Sequence, residues 1–464
     1  GSHALAASRT LWITNAVTAT LDTLAYTQLV YGTIMCADTS STLLKAGGGT
    51  LVLDPGPTAV STFGSLHVPT GTVVIASGTN LVTRFCNVQN GPGLRVSGGT
   101  LLVAGGVLKT TERQYVNVDG GHLLVTNGVA DTTSCDEILN GIAGNGHGYT
   151  TVSGSGLLIA NAIRISQNTG NPSNNVVSVN TGGVMRVNNF YIDLNFNGAQ
   201  KGMLFLNGGT VEARADNVNF LGTTETLVGN NNDKWLTNIF VHVREGGAIF
   251  DTAGRVISIK QPLYTGAPAD GGLRKRGAGT LTLLNTNTYS GATVVEGGTL
   301  RLGRNDTLPA ANAAMASSNA GRDVNAKSQT LAALGGGGTV TNLAALTVTD
   351  TLAPGDANAF GTLTLAAAPL SIAGCTLSVN VSTNGACDRL HVRGDLDLAT
   401  LSLSVEDAAQ LNPLERYTVA SCTGTLGTPF GSHDALPTRW RTKYDAVNKE
   451  AYLVYDFGAL IMLK

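Results

Sequence analysis

A glycine turn followed by a short apolar strand recurs along most of this chain, and that recurrence restricts the fold more than any single residue. The phrase is clearest at Gly277-Ala278-Gly279-Thr280-Leu281-Thr282-Leu283 and at Gly297-Gly298-Thr299-Leu300-Arg301-Leu302, with Asn287-Thr288-Tyr289-Ser290-Gly291 between them. Variants stand at Gly48-Gly49-Thr50-Leu51, Gly98-Gly99-Thr100-Leu101, Gly120-Gly121-His122-Leu123 and Gly154-Ser155-Gly156-Leu157. Others follow at Gly182-Gly183-Val184, Gly208-Gly209-Thr210, Gly246-Gly247-Ala248 and Gly337-Gly338-Thr339. Each reads as a turn with positive φ and then a strand of Thr, Val, Leu and Ile. Such strands cannot bury an apolar face alone, and a spacing of roughly 20 to 40 residues lies in the range of stacked repeats. The expected fold is all-β, a parallel β-helix (solenoid) with a C-terminal β cap or sandwich-like region.

Composition agrees. Glycine is abundant (59 of 464 residues) while charged residues are 13% and aromatics 5%, which suits narrow coils filled by small apolar side chains. A formal net charge of −2 leaves no electrostatic footprint for nucleic acid. No apolar run reaches the length of a membrane helix, so membrane insertion is not expected. Residues 1–46 lack glycine repeats and read as an N-terminal strand or cap segment, 47–342 as β-helix repeats, and 343–464 as a C-terminal β region of longer strands. Within the repeats, the Ala/Ser/Asn-rich stretch 309–327 reads as an irregular surface loop. Gly1-Ser2-His3 is read as a mature N-terminus in preference to a cloning remnant.

Few residues point to chemistry. Asp131, Asp136 and Glu137, near His147, are the best acid-base candidates for a carbohydrate-active β-helix, although solvated loop charges explain them more simply. Asp216, Glu225 and Asp233 are more scattered. Arg274-Lys275-Arg276 reads as a solvated basic turn, and Asn230-Asn231-Asn232-Asp233 lacks the spacing of a calcium loop. Trp12, Trp235 and Trp440 are expected to pack in core or cap. Six cysteines show no metal-binding spacing; Cys375 and Cys387 flank a strand and turn, and read either as a hairpin disulfide or as two buried thiols. No cofactor is expected.

Residues 277–302 closely resemble the autotransporter-associated β-strand repeat. The matching positions are Gly277, Gly279, Thr280, Leu281, Tyr289, Gly291, Gly297, Gly298, Thr299 and Leu300. The resemblance implies a bacterial, secreted, surface-exposed β-helical stalk or passenger. No alternating region long enough for a translocator barrel follows, so export by another route or a processed fragment is implied. The expected function is a non-catalytic structural or adhesive surface protein, a stalk or a subunit of an extracellular filament. Its expected partners are a surface polysaccharide, a host surface, or further copies joined head-to-tail through terminal strands. The alternative is a polysaccharide lyase or hydrolase.

Overall fold

Glycine turns set the length of each coil, and the coils stack in register. The computed structural model describes residues 4–458 except 15, 84–92, 112–114, 142–146, 167–173, 193–200, 223–238, 318–319, 357–358, 367–369 and 428. No α-helix occurs among them, and the chain forms two compact units, Gly1–Gly271 and Gly272–Lys464. Each is a parallel β-solenoid.

In the first unit strands pair with the strand three further along, up to the end strand Leu263–Thr265, so a coil carries three strands and the unit three parallel ladders. One sheet contains eleven strands. Its strand Thr50–Leu53 lies between Thr27–Val30 and Thr72–Ile75, with Leu53 in register with Val30 and Ile75. The same inward ladder continues through Val103, Val125, Val152, Val179, Leu206 and Val243, all fully buried. Alternation turns every second residue outward. Thr27, Thr50, Thr72 and Thr100 therefore form one exterior row, and Leu29, Val52, Val74 and Leu102 form the next. Coils about 4.8 Å apart leave each inward Val or Leu in contact above and below, and its burial contributes about 1.5–3 kcal/mol.

The second unit opens with two ladders. Leu273–Arg276, Thr293–Val295 and Ala313–Ala316 form one; Thr280–Leu283, Gly298–Leu302 and the long strand Ala320–Gly336 form the other. Stretch 309–327 is thus largely strand, not the expected loop. Its alanines are small enough to point inward, with Ala314 and Ala316 fully buried, and parallel pairing on a preformed coil overrides weak β-propensity. Parallel pairing runs on through Thr339–Pro354, Thr362–Ala366, Arg389–Val392 and Tyr417–Cys422. The direction then reverses. Glu450–Tyr455 pairs antiparallel with both Tyr417–Cys422 and Trp440–Asp445, closing the unit with a hairpin. Trp440 packs between Tyr417 and Tyr455 at centroid distances of 5.8 Å.

The expected boundaries at 46 and 342 coincide with no break in pairing. Thr18–Asp22 pairs with Thr42–Ala46, and Thr27–Val30 with Thr50–Leu53, so the first 46 residues already contribute coils. Likewise Thr339–Pro354 spans 342 within one strand.

Candidate functional site

The corner that begins the clearest repeat is built around Lys275. On strand Leu273–Arg276, alternation sends Leu273 and Lys275 inward and Arg274 and Arg276 outward. Lys275 is fully buried, which corrects the reading of 274–276 as a solvated turn. Its Nζ donates to the carbonyls of Arg276 (2.8 Å), Gly277 (2.7 Å) and Gly297 (2.9 Å). An ammonium has three protons, and here each finds an acceptor, so burial carries no unsatisfied donor. Gly298, at φ 64°, completes the corner: a Cβ there would lie 2.3 Å from the Gly279 carbonyl. Outside, Arg274 and Arg276 both pair with Glu296, the latter at 2.7 Å. Burial pushes the Glu296 carboxyl up, but the two guanidinium groups more than offset it and hold the group below the usual range.

The Asn-Thr-Tyr-Ser-Gly turn has an equally internal use. Tyr289 is fully buried and its hydroxyl shares a hydrogen bond with Thr293 Oγ1 at 2.6 Å. Asn287 Nδ2 donates to the carbonyls of Asn285 (3.0 Å) and Thr307 (2.8 Å), while Asn312 Nδ2 reaches back to those of Tyr289 and Gly291 at 2.8 Å each. Side chains thereby satisfy a turn that has no strand partner. Arg322 lies inside the same unit, almost completely buried. Its three side-chain nitrogens find no hydrogen-bond partner among the described residues, and burial holds its pKa down to about 9.

Sequence reasoning missed a second copy of this corner. Lys45, also fully buried, donates to the carbonyls of Ala46 (2.9 Å), Gly47 (2.7 Å) and, more distantly, Thr70 (3.5 Å). Gly71, at φ 66°, stands where Gly298 stands; a Cβ there would lie 2.4 Å from Lys45 Nζ. The available signal was a lysine two residues before the first glycine, as in both Lys45-Ala46-Gly47 and Lys275-Arg276-Gly277.

Of the carboxylates singled out as acid-base candidates, Asp131 stands on strand Val129–Thr132 and Glu137 on strand Glu137–Asn140, which run in different ladders, and Asp136 lies in the bend between them. Asp131 accepts from Thr133 N (3.1 Å) and Oγ1 (2.7 Å) and lies 3.8 Å from Lys109. Glu137, buried, is held by Arg164 through Nε (3.1 Å) and the terminal nitrogen (2.5 Å). His147 is exposed. Asp216 accepts from the Val256 amide at 2.8 Å. Glu225, Asn230, Asn231, Asn232, Asp233 and Trp235 lie outside the described residues. In the second unit a shallow cleft of about 200 Å³ is lined by Asp356, Phe360, Asn380, Asp388 and Asp407, among others. Asp388 is committed: it accepts from Gly361 N (3.0 Å), Asn380 N (3.0 Å) and Asn380 Nδ2 (2.8 Å). Among the described residues no group of three or more His, Cys, Asp or Glu side chains is arranged to hold a metal ion.

Cys375 and Cys387 are separate thiols in the structure. Cys387 bridges to Val381, and the strand Thr376–Asn380 separates that residue from Cys375, so the hairpin register does not oppose the two cysteines. Cys375 Sγ points to the Val348 carbonyl (2.9 Å) and Cys387 Sγ to that of Thr418 (3.3 Å). Burial raises both thiols, Cys387 to about 11, which keeps them protonated and unreactive. Trp440 packs as expected, whereas Trp12 is 63% exposed and fills no core.

The family model for the passenger-associated-transport-repeat matches residues 273–302. That segment begins at the strand carrying Lys275 and ends with the strand of Gly298, so the matched unit is one buried-lysine corner, the Tyr289 turn and the next coil's strand. No curated protein matches the chain.

Proposed function

We propose, taking the passenger-associated transport repeat at 273–302 as premise, that this chain is a non-catalytic, secreted structural or adhesive surface protein. It is a β-solenoid stalk of the autotransporter-passenger type, carried at the bacterial cell surface or beyond. One observation carries this reading: the polar residues of the repeat are spent inside it. Lys275 and Asn287 bind carbonyls of their own or adjacent coils, and Arg274 and Arg276 pair with Glu296. A repeat organised this way stiffens its own coils and engages its charged side chains with each other. Rods serve for reach and display.

Within this reading, copies join head-to-tail through terminal strands, or single rods present their sides to a polysaccharide or host surface. Negative-stain electron microscopy of the native material separates these: fibres one subunit wide support joining, and discrete rods in dilute solution support display. The aspartate-lined cleft motivates one competing reading, a carbohydrate-active solenoid. Incubation with a panel of polysaccharides is expected to release no reducing sugar. Released sugar, abolished by Asp407→Asn, would refute the non-catalytic reading.

A further inference from the structure

The outer face of the eleven-stranded sheet differs in charge from the rest of the first unit. None of its eleven strands contains Asp or Glu. The unit's other strands carry Asp22, Asp131, Glu137, Glu212 and Asp251. Towards the end of this sheet the exterior positions become aromatic. Phe205, Phe240, His242 and Tyr264 all point outward and half-buried, on three successive strands. Their centroids are 5.7 Å apart for Phe205–His242, 6.3 Å for Phe240–His242, 6.3 Å for Phe240–Tyr264 and 6.2 Å for His242–Tyr264.

Two cations edge this cluster. The Arg244 guanidinium lies 4.0 Å from the Phe205 centroid, and Lys201 Nζ lies 5.8 Å from that of Phe240. Neither forms an ion pair among the described residues, and Arg244 Nε is buried without a hydrogen-bond partner there. On the other faces of this unit Arg164 and Arg186 are each matched by a glutamate across the coil. Cations without an ion pair among the described residues, beside strands that carry no carboxylate, are complementary to an anion brought from outside.

We propose that this face binds an acidic polysaccharide, its rings resting on the aromatic cluster and its carboxylate or sulfate groups meeting Lys201 and Arg244. The C–H faces of a pyranose are apolar and pack on aromatic surface, while anionic substituents take charge-assisted hydrogen bonds from ammonium and guanidinium groups. The sheet is extended along the coil axis with strands about 4.8 Å apart, so a linear polymer laid along it meets a new strand at each step. The rings are half-buried and braced against each other, a poor shape for wedging into a bilayer. This inference rests on the extracellular adhesive reading above, because only outside the cell is such a polymer the natural partner.

The test measures binding of fluorescently labelled polygalacturonate by the whole chain. Neutral dextran, vesicles of phosphatidylserine and phosphatidylcholine, and single-stranded DNA serve as competing probes. Polygalacturonate is expected to bind and dextran not to. Lys201→Glu and Arg244→Glu are each expected to weaken binding about tenfold, or about 1.4 kcal/mol, and Phe240→Thr and Tyr264→Thr by a similar factor. Thr50→Val, on the aliphatic stretch of the same sheet, is expected to leave binding unchanged. Lys201 is exposed, so its charge reversal keeps the test informative if an aromatic variant misfolds. Equal binding of dextran, preference for vesicles or DNA, or full affinity in the Lys201→Glu protein would overturn the proposal. Sugar release from a polysaccharide would break the non-catalytic reading without altering these binding ratios, so the two failures are distinguishable.

Discussion

Two corners of this molecule have the same framework and different surroundings. Lys45 and Lys275 are both fully buried, both bound to carbonyls at the start of a glycine turn, and both faced by a glycine at positive φ on the next coil. After the Lys275 corner the chain enters the turn of Asn287 and Tyr289, whose side chains plug and tie the coil. After the Lys45 corner it passes through Asp54, Pro55 and Gly56, where Ser77 Oγ bridges the Asp54 carboxylate (2.5 Å) and the Gly56 amide (2.9 Å). Only the first of these turns falls within the family match. The comparison teaches that the buried lysine and its glycines define the corner, while the tyrosine turn is one of several ways to close the coil.

The largest test of this distinction is the tyrosine. Tyr289 is wholly buried, so Tyr289→Ala removes an aromatic ring from a narrow interior that has little room to collapse. A loss of about 3–5 kcal/mol in the second unit is expected, with the first unit's unfolding unchanged. Tyr289→Phe isolates the hydroxyl bonded to Thr293 and is expected to cost only about 1 kcal/mol. Differential scanning calorimetry reads both. A Tyr289→Ala protein as stable as the parent would mean that the turn is closed by backbone alone.

How much of this was legible in the sequence follows from the same residues. Alternation and glycine turns are local, so the strands at Thr50–Leu53, Thr100–Val103 and Thr280–Leu283 could be read directly, and stacking followed from their inability to bury themselves. The inward direction of Lys275 was hidden because a Lys between two Arg has the composition of a solvent-facing turn. Only the strand's phase, set by Leu273, decides which of the three points inward. The first half of the strand Ala320–Gly336, up to Lys327, was illegible for another reason: alanine, asparagine and aspartate have weak β-propensity, and pairing with coils on both sides decided it, whereas strand character could be read from Ser328 onward. The cysteines failed on register, which sequence spacing does not contain. The cationic aromatic face was invisible because Lys201, Phe205, Phe240, Arg244 and Tyr264 are gathered only by stacking of three coils.

The lysines themselves give the next effect. Lys275→Met keeps the apolar stem and removes the ammonium, and with it three charge-assisted bonds of 2.7–2.9 Å. Hydrogen bonds to charged groups contribute about 1.5–3 kcal/mol, so a loss of about 3 kcal/mol is expected in the second unit. Lys45→Met is expected to cost less, about 2 kcal/mol, because its third acceptor lies at 3.5 Å. Each loss belongs to one compact unit, so the double variant is expected to show both shifts unchanged in size. Equal or greater stability of Lys275→Met would show that an apolar side chain closes the corner as well, and that the lysine is not what defines it.

The smallest effect concerns what lies outside the two corners. Arg274 and Arg276 flank Lys275 and bind Glu296, whereas Leu44 and Ala46 flank Lys45 and carry no charge. The Glu296 carboxyl is held below its ordinary value of 4.5 in the folded chain, so the ionised form is favoured by folding. Its contribution is therefore complete above about pH 4.5 and is lost as pH falls through the lower folded value. These side chains are partly exposed and screened, so the contribution is no more than about 1 kcal/mol. Thermal unfolding of the second unit, followed from pH 6 to pH 3 (roughly the window in which a carboxylate titrates), is expected to fall less steeply in Glu296→Gln than in the parent. The two curves are expected to converge at the acid end, where Glu296 is protonated in both folded and unfolded chains. Parallel curves separated by a constant offset would mean that Glu296 acts through packing, and that charge adds nothing to the corner that Lys45 lacks.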